Sequence, residues 1–183
     1  VLVDVPDVEA DGERIQARIG AFDLSLGEYV NGIPTDALMT ASNIVVDLPQ
    51  DSDDEQVQQL IDLGVTNVDV GFTIDTAWNA AEDAIVINEI SITEADLATI
   101  TLAGTIANAT EALFSVDENE ALAAAMGVAI SQLRLDVTDA GLFDLVLASV
   151  AAEQGADPAT LRPVFAGLAE GTVVGLLAGA AEA

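Results

Sequence analysis

Residues 67–108 read NVDVGFTIDTAWNAAEDAIVINEISITEADLATITLAGTIAN, three apolar alternations separated by two short polar turns. A period of two residues is the mark of a strand, and three such runs in succession predict an antiparallel meander. In the first run Val68, Val70, Phe72 and Ile74 share a face opposite Asp69, Thr73 and Asp75. The second run aligns Ile85 and Ile87, then slips at Asn88-Glu89 before Ile90 and Ile92, which predicts a bulge. The third sets Ile100, Leu102, Gly104 and Ile106 against Thr99, Thr101 and Thr105. One side of this sheet is therefore dry and the other wet.

Working back toward the start, residues 13–26 carry the same rhythm. Ile15, Ala17 and Ile19 give way to Phe22, Leu24 and Leu26, with the change of phase at Gly20-Ala21 predicting a second bulge or bend. Residues 29–34 read as a turn or short loop with Asn31-Gly32 at its centre, and a return strand is expected over about 38–48, with Ile44, Val46 and Leu48 inward. Residues 1–12, with Pro6 and several acids, read as a leading segment that ends in a turn at Asp11-Gly12.

The period changes at Asp51. Ser52 followed by Glu55 has the form of a capping box, Val57, Leu60 and Ile61 follow at helical spacing, and Gly64 stands where a helix ends. Asp117 and Glu120 form a similar pair ahead of a helix expected over 118–131, and Leu133, Leu135 and Val137 mark a last strand over 132–138. A third helix is expected over 140–154, stopped by Gly155, and Asp157-Pro158 opens a fourth. Strands first and helices late predict an α+β fold: a curved antiparallel sheet of hairpins and meander, covered by C-terminal helices. One domain is expected over 1–183, β-rich over 13–108 and mainly helical over 109–183, as a fragment of a longer chain.

Composition narrows the chemistry. Thirty-two acids against four arginines give a formal net charge of −28, yet 51 % of residues are apolar, so the chain has the means to build a core. Such charge repels phosphates and anionic headgroups, which argues against nucleic acid and against electrostatic docking on membranes. Histidine and cysteine are both absent. Ser-His-Asp triads, thiol nucleophiles and thiolate or imidazole metal sites go with them, leaving oxygen ligands and hence calcium or magnesium.

The weak candidates for metal are Asp51, Asp53, Asp54 and Glu55, a run that acids also occupy at any helix N-terminus. Asp69 and Asp75 lie on one strand about 20 Å apart, too far to cooperate in hydrolysis. Asn108-Ala-Thr110 fits a glycosylation acceptor. No catalytic residues and no cofactor are implied, and the apolar tail from Val164 to Ala183 makes a poor membrane span.

Several short motifs stand together: Gly32-Ile-Pro-Thr35, Leu63-Gly64, Ala77-Trp-Asn79 leading to Ala84-Ile-Val-Ile87, Asp139-Ala-Gly-Leu-Phe143, Ala151-Ala-Glu-Gln-Gly155 and Leu161-Arg162. Over about residues 13–170 the chain resembles a family of uncharacterised, mostly alphaproteobacterial envelope proteins, distantly similar to the AsmA-like and YdgA-like families. The resemblance implies a periplasmic or extracellular setting and the handling of lipid along a curved sheet. On that reading the protein is a non-enzymatic binder or carrier of an apolar molecule. Phe22, Tyr29, Phe72, Ile74, Trp78, Ile100 and Leu102 are its expected contacts. The alternatives are an assembly protein, docking a copy or partner through a sheet edge or the C-terminal helix, and an acidic calcium binder.

Overall fold

The structure, a computed structural model, describes residues 3–10 and 13–181. The expected turn at Asp11-Gly12 lies outside the described residues. Among the described residues seven strands run in sequence order through one antiparallel sheet: β1 (Val3–Ala10), β2 (Glu13–Val30), β3 (Ile33–Asp47), β4 (Asn67–Asn79), β5 (Ala84–Glu94), β6 (Ala98–Ala107) and β7 (Ala129–Asp139). Helix α1 (Glu55–Asp62) joins β3 to β4, a 3-10 turn (Glu111–Phe114) and α2 (Glu118–Ala125) join β6 to β7, and α3 (Leu142–Gln154) and α4 (Pro158–Ala181) follow. The class is α+β, with most of the helix late in the chain.

Both predicted phase slips are present. Asp75 pairs with Glu89 and Thr76 with Ile87, so Asn88 is the extra residue of a bulge in β5, and its amide donates to Asp75 Oδ1 at 3.1 Å. The slip at Gly20-Ala21 has a different construction from the one expected. There β2 and β3 stay in register with each other, and the surplus residue appears one strand further on, where Ser42 and Asn43 together face Gly71 of β4. Asn43 takes a left-handed φ of 53°. A Cβ on Gly20 would stand 2.8 Å from that of Asn43, so the close approach at this kink demands glycine. The Asn31-Gly32 turn has φ of 53° and 81°, the two positive values that a type I′ hairpin requires.

Elsewhere the boundaries move. The leading segment holds a strand, β1, whose pairing with β2 shifts between Val5 and Val8 and so leaves Pro6 and Asp7 outside the ladder. The cap of α1 is Asp54, whose carboxylate accepts from the N–H groups of Gln56 and Val57; Ser52 Oγ accepts from Asp54 N, one step earlier in the turn. Asp117 caps α2 as expected, but that helix ends at Ala125 and the chain is back in a strand by Ala129, so the helix expected over 118–131 is about one turn long on either side of Leu122. Gly155, at φ 60°, ends α3, and Pro158 opens α4.

The extent of helical cover is the main departure. The helices gather at the two ends of the strands. At one end Gln59 of α1 donates to Ser149 O of α3, and the N–H groups of Ala140 and Leu142 donate to Leu97 O in the β5–β6 turn. At the other end the 3-10 turn packs beside Trp78. Among the described residues the buried apolar side chains are few, mostly small and scattered, namely Ala41, Ala84, Ala98, Ala109 and Ala151 with Phe114 and Leu147. Alternation reveals which face seeks cover; whether a helix then reaches it depends on loop lengths and helix placement, which alternation does not encode. Much of this fold is a single layer.

Candidate functional site

The dry face is set by register. Directly opposed residues in an antiparallel ladder share a face, so the pairings trace rows across the sheet from β2 to β7. One row is Phe22, Ala41, Phe72, Ile92, Ile100 and Val137; the next is Leu24, Met39, Ile74, Ile90, Leu102 and Leu135. A third runs Leu26, Ala37, Thr76, Ile87, Gly104 and Leu133. Nine chains of this face (Phe22, Leu24, Leu26, Ile92, Ile100, Ile130, Leu133, Leu135 and Val137) are between 43 % and 69 % exposed. Burying an aliphatic or Phe side chain stabilises by about 1.5–3 kcal/mol. Covering nine half-exposed ones is therefore worth roughly 10 kcal/mol.

The rows bring five of the predicted contacts together: Phe22, Phe72 and Ile100 in one, Ile74 and Leu102 in its neighbour. The remaining two are elsewhere. Trp78 is on the dry face but already covered, its Nε1 donating to Ala109 O at 2.6 Å and its ring 5.0 Å from that of Phe114. Tyr29 lies past the positive-φ residue Glu28, 58 % exposed, its hydroxyl reaching Leu26 O at 3.5 Å. Sequence reasoning omitted Leu24, Ile90 and Ile92 as contacts, although the same alternation marks them, and Met39, which is out of phase with Ile44 and Val46 and reaches this face through the surplus residue at Ser42-Asn43. It also left out Leu133, Leu135 and Val137, which only the pairing of β7 with β6 carries onto this face.

The wet face is a ladder of hydroxyls and acids. Asp23, Thr40, Thr73, Ser91, Thr101 and Asp136 form one row, and Thr93 and Thr99 join hydroxyls at 3.2 Å beside it. A shallow hollow of about 290 Å³ opens there, lined by Thr40, Ser42, Asn43, Asp69, Thr73 and Thr93 among others, with Asn43 donating to Asp69 Oδ2 at 3.3 Å. On β7 the Arg134 guanidinium grips Asp136 through two contacts, 2.6 and 3.0 Å. The hydrogen bond first, and then the charge of Asp136, raises the arginine above its ordinary pKa.

The acids of residues 51–55 serve the start of α1, where Asp54 is the cap. Among the described residues no group of three or more Asp or Glu gathers as a metal site would, and no helix is long and apolar enough to cross a membrane. Asn108, of the glycosylation tripeptide, is exposed and donates to Gly127 O at 3.2 Å.

A family model described as "Uncharacterized protein" matches residues 91–181, from the middle of β5 to the end of α4. No curated protein and no solved structure matches the chain.

Proposed function

We propose that this protein is a non-enzymatic carrier, working in the periplasm or outside the cell, that holds an apolar chain-like molecule such as a lipid acyl chain along the open face of its sheet. The observation that carries the reading is the exposed breadth of the three aliphatic rows between β2 and β7. Contiguous apolar surface on that scale marks a binding surface in a soluble protein. Its chemistry favours a flexible hydrocarbon over a protein partner. Protein interfaces concentrate their energy in Tyr, Trp and Arg anchors, whereas these rows are Ile, Leu, Val, Ala and Met with two Phe, one Thr and one Gly. Thr76 is the one side chain of the three rows that carries a hydrogen-bonding hydroxyl, so a ligand is held mainly by area and takes many orientations equally well. Five strand spacings of about 4.8 Å give the rows a span of roughly 24 Å, enough to lie along an extended acyl chain.

The test is titration with a fluorescent fatty-acid analogue in 0.5 M salt, paired with a urea unfolding curve for each variant. Ile92→Ser with Ile100→Ser is expected to weaken uptake at least tenfold while the unfolding midpoint barely moves. Val116→Ser, at a site 81 % exposed outside the sheet, is expected to bind like the parent. Absence of uptake by the parent protein, or uptake indifferent to Ile92 and Ile100, would sink the reading.

A further inference from the structure

We infer that the free edge of β7 is a self-pairing surface: two copies of this chain join through it, antiparallel, about a two-fold axis at Leu135. This goes beyond the carrier reading and does not depend on it. Among the described strands β7 pairs with β6 alone, and all of its residues, Ala129–Asp139, are exposed. A sheet edge is normally blunted by proline, by brevity or by a bulge that twists it away. This edge is eleven residues long and has no proline. Its one irregularity, at Ser131, falls near its start and leaves 132–139 regular.

The sequence of the edge is complementary to itself about Leu135. An antiparallel pairing that sets Leu135 against the Leu135 of a second copy also sets Arg134 against Asp136, Leu133 against Val137 and Gln132 against Thr138. Residues that share a face in one copy keep that face in the pair, so the aliphatic rows continue across the joint on the dry side. On the wet side two arginines and two aspartates alternate. The neighbouring registers fail. Moving the axis to Arg134 opposes two arginines, moving it to Asp136 opposes two aspartates, and an odd slip turns the dry face of one copy onto the wet face of the other. Charge is the second reason to favour a copy of this chain in this register. In a molecule of net charge −28 with four arginines, Arg134 is placed on the edge itself, two residues from the aspartate it would meet in the other copy.

The chain has no cysteine, which allows a direct test on the full protein. Opposed Cα atoms in an antiparallel pair lie about 4.5–5.5 Å apart, inside the range a disulfide bridges. Leu135→Cys is therefore expected to give a covalent dimer on mild oxidation. Gln132→Cys, whose two copies would be about 20 Å apart, is expected to stay monomeric. Sedimentation in 0.5 M salt, which screens the long-range repulsion of the two acidic chains, gives the second arm. Arg134→Asp is expected to weaken the dimer at least tenfold, and adding Asp136→Arg is expected to restore it, because the reciprocal pairing returns with the charges exchanged. Circular dichroism establishes that each variant is folded. A parent protein that stays monomeric at submillimolar concentration overturns the inference. So do cross-linking that is equal at 132 and 135, and a folded double variant that fails to re-dimerise.

Discussion

The two ends of one apolar face have met opposite fates. At Trp78 the face is closed: the indole donates to Ala109 O, its ring leans at 60° on Phe114, and Ala109 and Phe114 are themselves buried. Asn31, from the β2–β3 turn, ties the cover down by donating to Phe114 O at 3.0 Å. Toward the other end of the sheet, Ile92 and Ile100 stand on the same face in β5 and β6, the next two strands, and are 58 % and 44 % exposed. The residues of the sheet itself are alike in the two places. What differs is a covering segment whose own polar backbone finds partners, which a loop crossing the middle of the face would lack. Closure here depends on what can be hydrogen-bonded as well as on what is oily.

That contrast can be broken most sharply at Phe114. Phe114→Ala should lower unfolding free energy by about 3 kcal/mol, read as a clear drop in the urea midpoint, and should open the Trp78 end so that indole fluorescence shifts to the red. Gly104→Ala should follow at roughly 2 kcal/mol, because its new Cβ would stand 2.5 Å from Gln132 O and force β6 and β7 apart. The readout is faster hydrogen exchange confined to those two strands. Asn31→Gly, which keeps the left-handed backbone of the turn, leaves the Phe114 carbonyl without its side-chain donor and should cost about 1 kcal/mol. Ile92→Ser on the open rows should change stability by no more than about 0.5 kcal/mol, even as it impairs uptake of an apolar probe. If Ile92→Ser proved as damaging to folding as Phe114→Ala, the open face would have a hidden cover and the comparison would fail.

The alternation of residues 13–48 and 67–108 placed the dry-face residues of β2, β4, β5 and β6, the slips at Gly20-Ala21 and Asn88-Glu89 keeping the phase correct across the kinks, whereas Met39 and Ala41, out of phase with Ile44 until the surplus residue at Asn43 is counted, and the residues of β7 needed the strand pairings. Local chemistry was equally readable at Asn31-Gly32, at Asp117 and at Asp157-Pro158, where one or two side chains decide the backbone. Features needing information from elsewhere were not. The pairing of β1 is hidden by Pro6 and its acids, and the short α2 loses its last turns to a strand that pairs with distant β6. For the candidate site, Phe22, Phe72, Ile74, Ile100 and Leu102 were recoverable from period alone. The withdrawal of Trp78 from the open surface depends on Phe114, thirty-six positions on, and nothing in the period announces it.

The bulge at Asn88 also bears on how this sheet reaches its pairing. Without that surplus residue β4 and β5 could slide past each other one step at a time, each step exchanging oily and hydroxylated sides along a long hairpin. With it, only a single alignment lets the segments before and after the kink meet their neighbours together. It works as a notch that rejects near-miss alignments while the chain is still assembling, a safeguard with particular value where so little of the sheet is held by a roof.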